Sequence, residues 1–109
     1  MSFGQYISSA RKGLKLTQKE LAARLRKEDG DPISAQYLND IEHDRRNAPS
    51  EHLIAQLANE LNLSQDYLLY LAGQYPADLK EAALKPEQVE RFFVMFRQEL
   101  GQHRHEVDH

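Results

Sequence analysis

The sequence predicts an all-α fold. Apolar residues recur at steps of three and four along most of the 109-residue chain, cap-forming residues stand ahead of these stretches, and no stretch alternates as paired strands do. The first helix carries Phe3, Ile7, Ala10 and Leu14 on one face, at steps of 4, 3 and 4. Thr17 caps a second helix, with Glu20 as its capping-box partner and Leu21, Ala22 and Leu25 as its buried face. The run from Arg26 to Pro32 collects charges around Gly30, so it reads as a turn or loop. Ser34 caps a short third helix carrying Tyr37, Leu38 and Ile41 and ending near His43 or Asp44. Residues 45–49 form a basic link ending in Pro49. Ser50 caps a fourth helix with Leu53, Ile54, Leu57, Ala58 and Leu61, and Ser64 a fifth with Leu68, Leu69 and Leu71. Gly73 and Pro76 stop it. Residues 73–85 have a mixed pattern and are expected to form an irregular linker. Pro86 suits the first turn of a sixth helix, residues 86–102, striped by Val89, Phe92, Phe93, Phe96 and Leu100. Residues 103–109 lack an apolar pattern and read as a flexible tail.

Composition bounds the function. Lys plus Arg total 14 and Asp plus Glu 17, a net charge of −3. Cysteine is absent, which excludes a disulfide scaffold, a thiol nucleophile and a thiolate metal site. No apolar run approaches the roughly 20 residues of a membrane helix, and no signal-peptide pattern opens the chain, so a cytoplasmic protein is expected. An acidic balance spread evenly would argue against a nucleic-acid partner. It is not spread evenly. Residues 1–49 carry 9 basic and 7 acidic side chains, net +2, whereas residues 50–109 carry 5 and 10, net −5. Within residues 1–30 the count is 7 against 3, so the N-terminal third is locally basic.

Two short helices separated by a turn, within a five-helix set, suggest a helix-turn-helix. The strings LTQKELA (16–22), IS (33–34), YLNDIE (37–42), the Arg45–Arg46…Pro49–Ser50 link and LIAQLANELNLSQDYLL (53–69) carry a resemblance to a known family. In that order they resemble the Cro/CI-type, or xenobiotic-response-element-type, helix-turn-helix regulators, which include the lambdoid phage repressors. The resemblance covers roughly residues 3–72. It implies a five-helix, lambda-repressor-like DNA-binding domain over residues 1–72, binding a palindromic operator in double-stranded DNA as a homodimer. The third helix would enter the major groove with its N-terminal residues at base edges.

Carried onto this chain, the resemblance puts Ala35, Gln36 and Asp40 at base-reading positions, with Tyr37 and Asn39 beside them. Gln36 can match adenine N6 and N7, Ala35 offers a methyl to thymine, and Asp40 can accept from cytosine N4. Asn39 can reach a base or a phosphate. Tyr37 fits either the core edge or the sugar-phosphate backbone. Phosphate contacts are expected from Thr17, Gln18 and Ser34 and from Arg45, Arg46 and Asn47, although Thr17 and Ser34 also read as caps. The family pairs an acid ending the third helix with a base on the first, which implies a structural ion pair between Glu42 and Arg11. Two departures stand out. The run RKEDGDP lengthens the usual tight turn, and Asp44 replaces a glycine in the left-handed conformation after the third helix.

The remaining apolar stripe, Val89, Phe92, Phe93, Phe96 and Leu100, requires burial, either against its own domain or across a dimer. Dimerisation is the preferred expectation. A protein partner such as a toxin or anti-repressor, and with it an antitoxin-type autorepressor, is a second reading. An interaction adaptor that reads no bases is a third. No cofactor is expected. His103, His105 and His109 lack a fourth ligand and a rigid frame, so no metal site is expected either. No nucleophile–base arrangement or Gly-rich phosphate loop supports an enzyme.

Overall fold

The computed structural model describes residues 1–107, with side chains as far as Gly101. Seven helices occur among the described residues: α1 Phe3–Gly13, α2 Gln18–Arg24, α3 Ala35–Glu42, α4 Glu51–Leu61, α5 Gln65–Leu71, α6 Ala77–Glu81 and α7 Pro86–Val107. The extended-backbone exception is an isolated antiparallel bridge between Arg26 and Pro32. The chain divides into two compact units, one ending at Pro76 and one beginning at Ala77.

The first unit holds α1 to α5 around one core. Ile7, Leu21, Leu25, Leu38, Ile54, Leu57, Leu68 and Leu69 are fully buried at its centre. Local chemistry fixes where these helices start. Thr17 Oγ1 accepts from the Glu20 N–H at 3.0 Å, and Glu20 Oε1 accepts from the Thr17 N–H at 3.1 Å. Together they satisfy two otherwise orphaned donors. The Thr17 bonds hold the Glu20 carboxyl below its usual range. Ser34 and Ser64 accept from the N–H groups of Tyr37 and Tyr67. Ser2 caps α1 in a further capping box with Gln5, a start the sequence pattern did not reveal.

Four expectations need correction. Leu14 is half exposed rather than buried, because α1 ends at Gly13 and the chain turns through Lys15 at φ 59°. The buried face of α1 is instead Phe3, Gly4, Ile7 and Arg11, with Leu16 packed against the core edge. Ser50 holds the N-cap position of α4 but makes no side-chain cap bond. The irregular 73–85 segment contains the short helix α6, so the second unit has two helices where one was expected. In that unit the backbone of α7 continues to Val107, past the boundary at 102.

One close approach positions α3. A Cβ on Gly4 would fall 2.6 Å from the Glu42 carbonyl oxygen and closer still to that of Ile41. Only glycine lets the start of α1 lie against the end of α3 at this distance. Asp44 closes the contact: its carboxylate accepts from the Gly4 N–H at 3.0 Å and from the Ser2 hydroxyl at 2.5 Å. Asp44 sits at φ 55°, in the left-handed region. Its negative charge at the N-terminus of α1 is favourable, which compensates the backbone cost of a non-glycine residue there.

Candidate nucleic-acid interface

The helix-turn-helix unit is α2, the 25–34 segment and α3. The lengthened turn is a small hairpin rather than a loose loop. The Ile33 N–H donates to the Leu25 carbonyl at 3.0 Å, so the two ends meet despite the extra residues. Within it, the Lys27 N–H donates to the Asp31 carbonyl at 2.8 Å, and Gly30 takes φ 93° at the tip.

The inward side of α3 is anchored by Glu42. Arg11 Nε and Nη2 donate to its two carboxylate oxygens at 2.7 and 2.9 Å. The Glu42 side chain is 1% exposed and that of Arg11 10%. Arg11 Nη1 also donates to the Leu16 carbonyl at 2.7 Å, which ties the loop after α1 into the same cluster. Gln18 Nε2 donates to both Glu42 Oε1 and Asn39 Oδ1, each at 3.0 Å. Burial pushes the Glu42 carboxyl up, but the hydrogen bonds from Arg11, Gln18 and Ser8 and the charge of Arg11 outweigh it and hold it below its ordinary 4.5. Among the described residues no buried side-chain polar atom lacks a partner, so the cluster is fully satisfied.

The outward side of α3 is organised by Asp40. Gln36 Nε2 donates to Asp40 Oδ1 at 3.0 Å, and Arg46 and Arg45 approach its oxygens at 3.5 and 3.8 Å. The Arg46 guanidinium also lies over the Tyr37 ring, 5.1 Å from its centroid. Gln36, Tyr37, Asp40, Arg45 and Arg46 therefore form one connected surface. Ala35 and Ser34 lie at its N-terminal end and Asn47 follows it in the exposed link.

This geometry refines several individual roles. Both hydrogens of the Gln18 side-chain amide are engaged inside the protein, so an anion at the start of α2 would meet the free backbone N–H groups of its first turn. The Asn39 carbonyl oxygen accepts from Gln18, which leaves its Nδ2 group as a donor alone. Thr17 and Ser34 use their oxygens as cap acceptors. Sequence reasoning did not find the anchoring of the hairpin by Gln56 of α4, whose side-chain amide bonds the Arg26 main chain, the pairing of Asp40 with Gln36, or the Gly4–Asp44 contact. The first and the last join separate elements and leave no local signature. The spacing of Gln36 and Asp40, four apart on a helix, was the one usable signal.

In the second unit, Val89, Phe92, Phe93, Phe96 and Leu100 are all exposed, from 37% to 58%. Val94 and Met95 are exposed too. Among the described residues no cluster of three metal-ligating side chains occurs; the side chains of His103, His105 and His109 lie outside the described residues. No described helix is long and apolar enough to cross a membrane.

Two short helices, α2 and α3, joined by a turn and braced against α1 through Arg11 and Glu42, make a helix-turn-helix module. Its work is non-covalent recognition. The model of the helix-turn-helix domain family matches residues 4–74, and the chain belongs to that family. It is accordingly a sequence-specific DNA-binding regulator on a non-catalytic fold. Among solved structures, a chain of the SinR protein/SinI protein complex is similar over 98% of this chain and 99% of that one, at 21% identity and a TM-score of 0.50. That likeness concerns the fold. No curated protein matches the chain.

Proposed function

We propose that this regulator is a repressor that binds a palindromic operator as a homodimer, in the cytoplasm, through a lambda-repressor-like arrangement of α1 to α5. The observation that carries the reading is the division of α3 into an anchored inner side and an organised polar outer side. The N-terminal half of α3 enters the major groove, where Ala35, Gln36, Tyr37, Asn39 and Asp40 face base edges. Asp40 exchanges its arginine partners for a base donor as Arg45 and Arg46 move onto phosphates, with Asn47 beside them. Thr17, Gln18 and Ser34 sit at the two helix starts that meet the backbone. Arg11 and Glu42 hold the angle of α3 and touch no DNA.

Val89, Phe92, Phe93, Phe96 and Leu100 supply the dimer contact. Their exposure in this chain supports the assignment. A protein partner on the second unit is a second reading, which would make the protein an antitoxin-type autorepressor or an anti-repressor target. The similar chain's occurrence in a SinR protein/SinI protein complex favours keeping it.

Selection of bound duplexes from random DNA, followed by salt titration, tests the proposal. An enriched palindrome with half-sites about one helical turn apart, and affinity falling steeply with salt, is the expected result. No enrichment would overturn it. Removal of residues 86–109 should abolish the dimer in light scattering; a truncated protein that dimerises at the same concentration would overturn the α7 assignment.

A further inference from the structure

The hairpin between α2 and α3 is held more firmly than an ordinary surface turn. Besides its own backbone bonds, it is gripped by Gln56 of α4. The Arg26 N–H donates to Gln56 Oε1 at 2.8 Å, and Gln56 Nε2 donates to the Arg26 carbonyl at 2.8 Å. This reciprocal pair mimics a strand contact and fixes the hairpin root against the body of the domain. Asp29 Oδ1 accepts from the Asp31 N–H at 3.0 Å and orders the tip.

The fixed hairpin walls one side of an open cleft of about 570 Å³. Its lining also includes Ser34 and Tyr37 at the start of α3 and Ser50 and His52 at the start of α4. The cleft thus adjoins the end of α3 that reaches deepest into a major groove. Arg26 is exposed, and its guanidinium makes no ion pair or hydrogen bond among the described residues. Lys27 meets Asp29 only at 4.0 Å, with both side chains more than half exposed. Glu28 and Asp29 line the same cleft at its tip end, where they would repel a phosphate, and Asp31 sits across the hairpin from Lys27. The Arg26 and Lys27 end of the cleft is the part suited to an anion.

We propose that this cleft takes the sugar-phosphate backbone flanking the bases that α3 reads, with Arg26 and Lys27 as phosphate contacts outside the half-site. The inference rests on the operator-binding reading above and adds a contact to it.

The full-length protein is titrated by fluorescence anisotropy against its selected operator over a range of salt. Two duplexes are used, one ending at the outermost selected base pair and one extended by about half a helical turn on each side. On the extended duplex, Arg26→Ala/Lys27→Ala should lower the slope of log affinity against log salt by about 1.8 per protomer, roughly 0.9 for each contact. On the short duplex the variant and the parent should converge. Gln56→Ala keeps both charges but frees the hairpin, and should fall between the two. If the double variant matches the parent on the extended duplex while Arg46→Ala still weakens binding, the cleft contact is overturned and the operator reading stands. If the parent protein itself binds no duplex, both are overturned.

Discussion

Asp40 and Glu42 stand two residues apart on α3 and live in opposite worlds. Glu42 is sealed beneath the helix, with every acceptor used by Arg11 and Gln18 at 2.7–3.0 Å. Asp40 holds a comparable set of partners on the outer side, but its arginines sit at 3.5 and 3.8 Å and are more than half exposed. The first set can hold the helix because removal of a partner strands a charge away from water. The second can exchange partners because its arginines reach into water and their bonds are long, although the Asp40 side chain itself is only 17% exposed. One short helix thereby carries a fixed side and an exchangeable side. That is what a reader of DNA needs: a constant angle of entry and donors free to regroup.

The largest effect is expected on the inner side. Glu42→Ala should cost about 3–5 kcal/mol, because Arg11 is then buried without a counter-charge. Urea unfolding measures it, and a loss below about 1 kcal/mol would mean that the pair behaves as a solvated one. Next comes Gly4→Ala, which drives a methyl into the carbonyls of Ile41 and Glu42. A cost of about 1–3 kcal/mol is expected from such overpacking. It should come with weaker operator binding, since α3 must shift to make room; unchanged stability in the same unfolding assay would contradict the close approach.

Glu42 is held below its ordinary 4.5, so its contribution is complete above that value and is lost as pH falls through the lowered one. Stability measured on an acid titration should therefore fall in this window for the parent protein, and Glu42→Gln should flatten that part of the curve. The smallest effect on stability belongs to Asp40→Asn, below about 1 kcal/mol. Its consequence should appear in binding instead: Arg45 and Arg46 lose their internal acid, so affinity for random DNA rises and the ratio between operator and random DNA falls. A ratio that stays constant would remove Asp40 from the reading surface.

Much of this architecture was legible in the sequence because it is locally written. Thr17 with Glu20, and the serines at 34 and 64, mark helix starts through bonds that span three residues. The core leucines of α4 follow from period alone. The closeness of Arg11 and Glu42 was reached through family resemblance, since 31 residues separate them and no period connects them. The Gly4–Asp44 contact spans 40 residues, and one glycine in an amphipathic pattern does not announce which backbone it must approach. Leu14 misled for a related reason. Its spacing fits the first helix, but the helix has already ended, and a period says nothing about where a chain leaves its axis. In the candidate interface, the residue types were legible and their internal pairing was not, as with Gln36 and Asp40.

Gln56 grips only main-chain atoms of Arg26, its amide hydrogen and its carbonyl oxygen. The grip is therefore indifferent to which side chains the hairpin carries. Residues around the tip could be exchanged as a cassette that keeps the turn at Gly30, with the frame that aims them left in place. The hairpin offers a graft point at which the reach of the regulator along its target could be redesigned without rebuilding the helix that reads it.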